Sequence, residues 1–286
     1  MAAVFRSNRP KDYLRSGFDR EFIRERLNAS GHVRTYFGLP GAEMLDVVAW
    51  RDFIDEAYCV DKSRTNINRM TMAAQLNNIS VNLQFFQGPI EYVLSMGMDL
   101  HQKPVPDQFF DIVNLDYEGE FLFQSGGSEA NRRVRSLGDL FERQRSFEAD
   151  FVLFITLGFR GRPGNEYDMK LRDIEIELRN YGKDYSAVVA WYLSQHQRHK
   201  SKVFVPYVVD EQARSRRFRM NSYKAFYYQG TGGVPMMHFA FDMRYSENQE
   251  VPARIDLCSL LHAPLFIVSD SHIDPDPHSP PYLDDA

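Results

Sequence analysis

The sequence predicts an α/β protein: an open, doubly wound sheet, mostly parallel, closed by an antiparallel hairpin near its C-terminal end. Three observations carry this. Between residues 33 and 157, short β-prone runs alternate with stretches whose apolar residues recur at helical spacing. The run Phe151-Val152-Leu153-Phe154-Ile155-Thr156-Leu157 is almost wholly apolar, as a strand buried on both faces requires. Two long β-prone segments, 222–229 and 236–244, flank Gly230-Thr231-Gly232-Gly233, which is a hairpin signal.

Each element follows from a local pattern. The polar lead-in carries one helix, 19–27, with Asp19 as its N-cap and Phe22, Ile23 and Leu27 on one stripe. Val33-Arg34-Thr35-Tyr36-Phe37 is the first strand, and Gly38-Leu39-Pro40-Gly41 makes a turn tight enough to bring main-chain N–H groups to a ligand. From Ala42 the period changes, placing Met44, Val47, Trp50 and Ile54 on one helical face. Tyr58-Cys59-Val60 is the second strand. It ends in Asp61, about 20 residues after the glycine turn, where a carboxylate can accept from both hydroxyls of a ribose.

A helix over 65–76 leads to the third strand, 81–86, which Gln87-Gly88-Pro89 stops before the helix that Ile90 opens. The fourth strand, 109–116, ends in Asp116, with Tyr117 and Glu118 after it. Beyond a Ser/Gly-rich loop, a basic amphipathic helix covers 131–145 and feeds the fifth strand. Helices over 169–179 and 186–199 come next. Val203-Phe204-Val205-Pro206-Tyr207-Val208 then reads as an edge strand, because proline has no N–H for a central ladder. After the hairpin, 255–261 and 265–268 are short apolar stretches, and the Pro- and Asp-rich tail from Ser269 is expected to be disordered.

The 286 residues, 43% hydrophobic and 26% charged, suffice for one large core. The expected division is an N-terminal helical extension (1–30), a main domain (31–250) and a C-terminal extension (251–286). No apolar run reaches the roughly 18–20 residues that span a bilayer, and the opening Met1-Ala2-Ala3-Val4-Phe5-Arg6 lacks a signal-peptide core; a cytoplasmic location is the expectation. Cys59 and Cys258 form neither a disulfide framework nor a zinc pattern, so no metal site is expected. A net charge of −5 excludes a wholly basic nucleic-acid binder, while positive stretches at 132–145 and 198–219 leave local phosphate recognition open. Arg160 and Arg162, in the glycine-rich loop after strand five, together with Arg132, suit a phosphate-bearing acceptor; solvated surface charge is the alternative. Arg214-Ser215-Arg216-Arg217-Phe218-Arg219 reads either as a nucleic-acid surface or as a basic loop before the hairpin.

Five β-α units, a closing hairpin, and acids after the second and fourth strands together resemble the class I S-adenosylmethionine-dependent methyltransferase family, over about residues 33–244. The residues that carry the resemblance are Phe37-Gly38-Leu39-Pro40-Gly41, Asp61, Phe86-Gln87-Gly88-Pro89 and Asn114-Leu115-Asp116-Tyr117-Glu118-Gly119. It implies a Rossmann-like, methyltransferase-type sheet of seven strands, with S-adenosylmethionine as the cofactor. Phe37, Gly38, Leu39, Pro40 and Gly41 would then cradle its methionine part. Asp61, with Lys62 beside it, would meet the ribose, and Gln87 with Gly88 the adenine. Asp116, Tyr117 and Glu118 would face the transferred methyl, Asp116 also bordering the cofactor. Two departures stand out: the loop has only two glycines, and no Asp/Asn-Pro-Pro-aromatic signature follows strand four, so nitrogen methylation is not implied.

Two classes of function follow. One is a methyltransferase acting on a nucleic acid or nucleotide, suggested by the arginines. The other is a binding or assembly protein that keeps the fold and works with a protein partner. A nicotinamide-dependent dehydrogenase shares the logic of Asp61, but its loop normally needs three glycines.

Overall fold

A computed structural model describes residues 8–27, 34–117, 119, 132–158, 165–180, 190, 192, 194, 197–247 and 251–276. Five parallel strands, β1 (Thr35–Gly38), β2 (Glu56–Asp61), β3 (Asn82–Gln87), β4 (Ile112–Asp116) and β5 (Phe151–Gly158), form one half of a single sheet. The hairpin β6 (Phe218–Gln229) and β7 (Pro235–Tyr245) continues it, β7 lying antiparallel to β5. The strand order is β3-β2-β1-β4-β5-β7-β6-β8-β9, with β8 (Leu265–Val268) and β9 (Ile273–Pro275) completing the far edge. The chain therefore builds outward from β1 in one direction and then restarts at β4 in the other. That reversal is the switch point at which open α/β sheets bind ligands.

Helices cover both faces, as strands buried on two sides demand. On one face lie α1 (Arg9–Tyr13) and α2 (Arg20–Arg26), joined by a widened π-type turn over Leu14–Asp19, together with α3 (Leu45–Trp50) and α4 (Arg64–Leu76). They bury Phe22, Ile23, Met44, Trp50 and Met70 against Tyr36 and Phe154. The other face carries α5 (Ile90–Met96), α6 (Arg132–Arg145), α7 (Asn165–Asn180), α8 (Gln197–Arg214) and α9 (Leu257–His262). Its core includes Phe37, Val113, Leu153, Phe141 and Phe204.

The structure departs from the sequence reading in four places. The strand expected over 203–208 is the middle of α8. Val203, Phe204, Val205, Val208 and Val209 are all buried there, and an apolar run fits a buried helix as well as it fits a strand. Pro206 removes one helical hydrogen bond, costing roughly 3 kcal/mol. Burial of the neighbouring side chains, roughly 1.5–3 kcal/mol each, outweighs it. The tail is ordered as far as Asp276: Ile273–Pro275 pairs with β8, and the Asp276 N–H donates to the Leu265 carbonyl at 2.7 Å. An open sheet edge supplied the partner that composition cannot reveal. Residues 277–286 lie outside the described residues.

Asp19 does not cap a helix. It sits in helical conformation inside a helical run that begins at Arg9, and its carboxylate turns to His238. Finally, α3 starts at Leu45 rather than at Ala42, because Met44 takes a left-handed conformation (φ 53°) that closes the glycine turn first. No helix among the described residues is long and apolar enough to cross a membrane.

Candidate functional site at the carboxyl edge of the sheet

β1 stops at Gly38, whereas its two neighbours run on. Gly38 pairs with Cys59 on β2 and with Asn114 on β4; two residues further along each neighbour stand Asp61 and Asp116. At about 3.3 Å of rise per residue and about 4.8 Å between strands, both acids stand roughly 7 Å beyond Gly38 and roughly 10 Å from each other. The result is a notch in the sheet edge, floored by the glycine turn and flanked by two carboxylates. Gly38 is required for close packing: a Cβ there would lie 2.2 Å from the Asn114 carbonyl oxygen. The turn continues with the Leu39 N–H donating to that same carbonyl at 3.0 Å, Pro40 buried, and Gly41 at φ +71°.

On the β2 side, Asp61 accepts from the Ser63 N–H at 2.7 Å and from the Asn66 side-chain amide at 3.1 Å, which ties it to the first turn of α4. Each carboxylate oxygen has two lone pairs, so both keep capacity for a vicinal diol. Lys62 follows on the exposed surface. At the end of β3, Gln87 is held by two residues that sequence reasoning missed. Its carboxamide oxygen lies 3.0 Å from His101 Nε2, which leaves the NH₂ donors for a purine edge. Its main-chain N–H donates to Asp99 at 3.2 Å. Burial alone would push the Asp99 carboxyl up, but main-chain N–H bonds from Lys103, Gln87 and His101 bring it below its ordinary value. Gly88 is buried, and a Cβ there would press on Val93 at 3.3 Å.

On the β4 side, the N-terminal helices supply the surroundings. Lys11 donates to Asp116, Arg15 Nε to Asp46, and Asn114 Nδ2 to Asp46 Oδ2 at 2.8 Å. Trp50 Nε1 donates to the Arg15 carbonyl at 2.9 Å. One row of side chains across the sheet runs Asp116, Thr156, His238 and Phe226, and His238 bridges Thr156 Oγ1 (2.9 Å) to Asp19 (3.0 Å). Lys11, Arg15 and Asp19 are four apart on one helical stripe, so one segment reaches β4, α3 and β7. Burial works against the charge on Arg15, yet Asp46 more than compensates and its pKa is raised. The Tyr228 hydroxyl is buried here with no hydrogen-bond partner among the described residues. Burial, and then Asp116, push the Tyr228 phenol well up.

Strand alternation separates Tyr117 from Asp116. Tyr117 is buried on the opposite face, beneath the Arg133 guanidinium at 4.5 Å, and Arg133 pairs with Glu91 at 3.1 Å. Arg132 is exposed at the start of α6. Glu118, Arg160 and Arg162 lie outside the described residues. In the basic cluster, Arg214 and Arg217 donate to the Pro252 and Glu247 carbonyls at 2.7 and 3.0 Å, and Arg216 donates to Gln212. Arg217 thus ties the start of β6 to the residues after β7, while Arg216 stays within the end of α8 and Arg214 reaches the segment beyond the hairpin. Lys11, Arg15 and Asp46 went unnoticed, the first two because they precede the helix expected over 19–27, and Asn114 entered only as part of the run that closes strand four, without a role of its own.

Five parallel strands, an antiparallel closing hairpin and helices on both faces are the architecture that the motif order implied. The chain has the class I methyltransferase fold. No protein-family profile matches the sequence, and no curated protein is similar to it. Among solved structures, an rRNA methylase from Streptococcus thermophilus is similar, with a TM-score of 0.42 and 10% identity over 79% of this chain and 95% of that one. M. jannaschii TYW2, in complex with AdoMet, has a TM-score of 0.40 at 9% identity over 81% and 76%. The [4+2]-cyclase SpnF has a TM-score of 0.42 at 11% identity over 81% of each chain.

Proposed function

We propose that the protein is an S-adenosylmethionine-dependent methyltransferase. The observation that supports this best is the notch: the glycine turn, Asp61 and Asp116 converge on the carboxyl ends of adjacent strands at the switch point. The donor set suits the cofactor. Asp61 offers a carboxylate to two ribose hydroxyls with Lys62 beside it, Gln87 and Gly88 offer an amide edge and close backbone to adenine, and Phe37, Gly38, Leu39, Pro40 and Gly41 line the way to the methionine end. The cofactor supplies a methyl group on a good leaving group, so the protein's task is alignment and exclusion of water. Asp116 orients the acceptor and takes its proton. The acceptor belongs to the nucleic acids or nucleotides on this reading, with Arg132, and Arg160 and Arg162 of the following loop, as phosphate partners. Calorimetry with S-adenosylmethionine, its demethylated product and NAD tests the first step. The first two should bind, and Asp61→Ala should weaken both at least about tenfold, the loss of hydrogen bonds to a charged group. Labelled methyl transfer to RNA, DNA and nucleotides tests the acceptor, and transfer that survives Asp116→Ala would remove that residue from its role.

A second reading keeps the fold and assigns work through a protein partner. Two observations favour it: Asp61 is already engaged with Ser63 and Asn66, and Asp116 is already paired with Lys11. Binding of none of the three ligands would select it.

A further inference from the structure

Lys11 is the residue that α1 delivers to the carboxyl edge. Its ammonium donates to Asp116 Oδ2, and the two side chains remain 21% and 25% exposed, so the pair borders solvent. The amine is presented, not floating. Asn8 accepts the Lys11 main-chain N–H at the start of α1, and four and eight residues further on Arg15 and Asp19 are buried against Asp46 and His238. A stability role for the Lys11 pair is small, since an ion pair at a surface contributes about 0–1 kcal/mol, and Arg15 and Asp19 already hold the segment. Two other lysines are tied elsewhere: Lys103 Nζ donates to the Phe85 carbonyl at 3.1 Å, and Lys202 Nζ to the Leu261 and Ala263 carbonyls at 2.6 and 2.7 Å.

We propose that Lys11 is a methyl acceptor in cis, an ε-amine that the protein methylates on itself. The inference rests on the reading of Asp116 as the group that faces the transferred methyl. Asp116 takes one proton from the Lys11 ammonium, leaving a free amine. Lys11 Nζ then bonds to the methyl carbon while the carbon–sulfur bond breaks, and that electron pair stays on sulfur as the sulfonium becomes a thioether. The product is a charged methylammonium, and Asp116 returns its proton to solvent through its exposed side. Fixing the nucleophile beside its base makes the step unimolecular, so even a weakly activated amine reacts at a useful rate.

The test uses the full chain incubated with S-adenosylmethionine carrying a labelled methyl, followed by peptide mass mapping. The expected result is one methyl on the peptide containing Lys11, at a rate independent of protein concentration, and none in Lys11→Arg or Asp116→Asn. A binding measurement supplies an independent readout. The Lys11 ammonium repels a sulfonium, so Lys11→Met should raise the affinity for S-adenosylmethionine relative to its uncharged-sulfur product by about threefold or more. Fluorescence of Trp50 in a Trp191→Phe background checks that the N-terminal helices stay docked in each variant, because Trp50 bonds to Arg15. If wild-type protein binds S-adenosylmethionine but Lys11 stays unmodified, self-methylation is overturned and the cofactor reading survives. A fractional rate of labelling that rises in proportion to protein concentration overturns the assignment in cis. An unchanged affinity ratio in Lys11→Met overturns the placement of Lys11 beside the methyl. Failure of the wild type to bind either ligand overturns the methyltransferase reading and this inference with it.

Discussion

At the scale of single residues, Gly38 is the position where sequence and geometry agree most closely. A side chain there would meet backbone, at 2.2 Å from the Asn114 carbonyl oxygen, and backbone cannot swing aside. Gly38→Ala should therefore lose about 3 kcal/mol, the upper end of overpacking costs, read as a shift of the urea midpoint. Gly41→Ala meets nothing within 4 Å and bears only the strain of φ +71°, so it should lose about 1 kcal/mol. Equal losses at the two positions would show that the notch is looser than described. Glycines and strand-end acids were legible from sequence because their chemistry is local. His101 and Asp99 were not: each acts on Gln87 from 14 and 12 residues away across a turn, and no spacing rule connects them.

The N-terminal helices show what a pattern over one element hides. Phe22 and Ile23 marked an apolar stripe correctly, and both are buried. The same stripe continues toward the N-terminus as Asp19, which read in sequence as an N-cap, and as Arg15 and Lys11, which fell ahead of the expected helix. They are bound to His238, Asp46 and Asp116 instead. The two buried contacts, at Asp19 and Arg15, are costly to break from one side. Arg15→Met leaves Asp46 buried with Asn114 alone and should lower stability by about 3–5 kcal/mol, whereas adding Asp46→Leu to it should recover a large part of the loss. Denaturation of the single and double variants measures this, and a double variant no better than Arg15→Met would refute the buried-charge account. A similar reversal explains α8, where Val203-Phe204-Val205 pointed to a strand. Its length and two-sided burial are properties of the tertiary fold, which a window of six residues does not contain.

For the molecule as a whole, the succession of β-α units and the closing hairpin were legible because each unit carries its own turn signals, while the far edge was not. That edge depends on Lys202 and Asp276. Burial pushes the Lys202 ammonium down from its ordinary 10.5 to about 8, against the pull of Asp276. The unfolded chain then holds that proton up to pH 10.5 whereas the folded chain releases it near 8, so between these values unfolding takes up a proton and stability rises with pH. The full rise is about 3 kcal/mol. Urea titrations from pH 7.5 to about 9.5 stop short of the tyrosine range and should show most of it. Lys202→Met should flatten the slope whatever it does to the absolute midpoint, and a slope that persists would assign the effect elsewhere.

Asp19 and His238 are 219 residues apart. At about 5–20 residues per second, synthesis of the β7 partner follows that of the first helices by roughly 10–40 s. During that interval Phe22 can pack on Phe154 of β5 once that strand is made, but Phe18 still lacks Phe226 of the hairpin. The helices over residues 9–26 therefore complete their docking only when the hairpin closes, and until then their apolar stripe is covered in part.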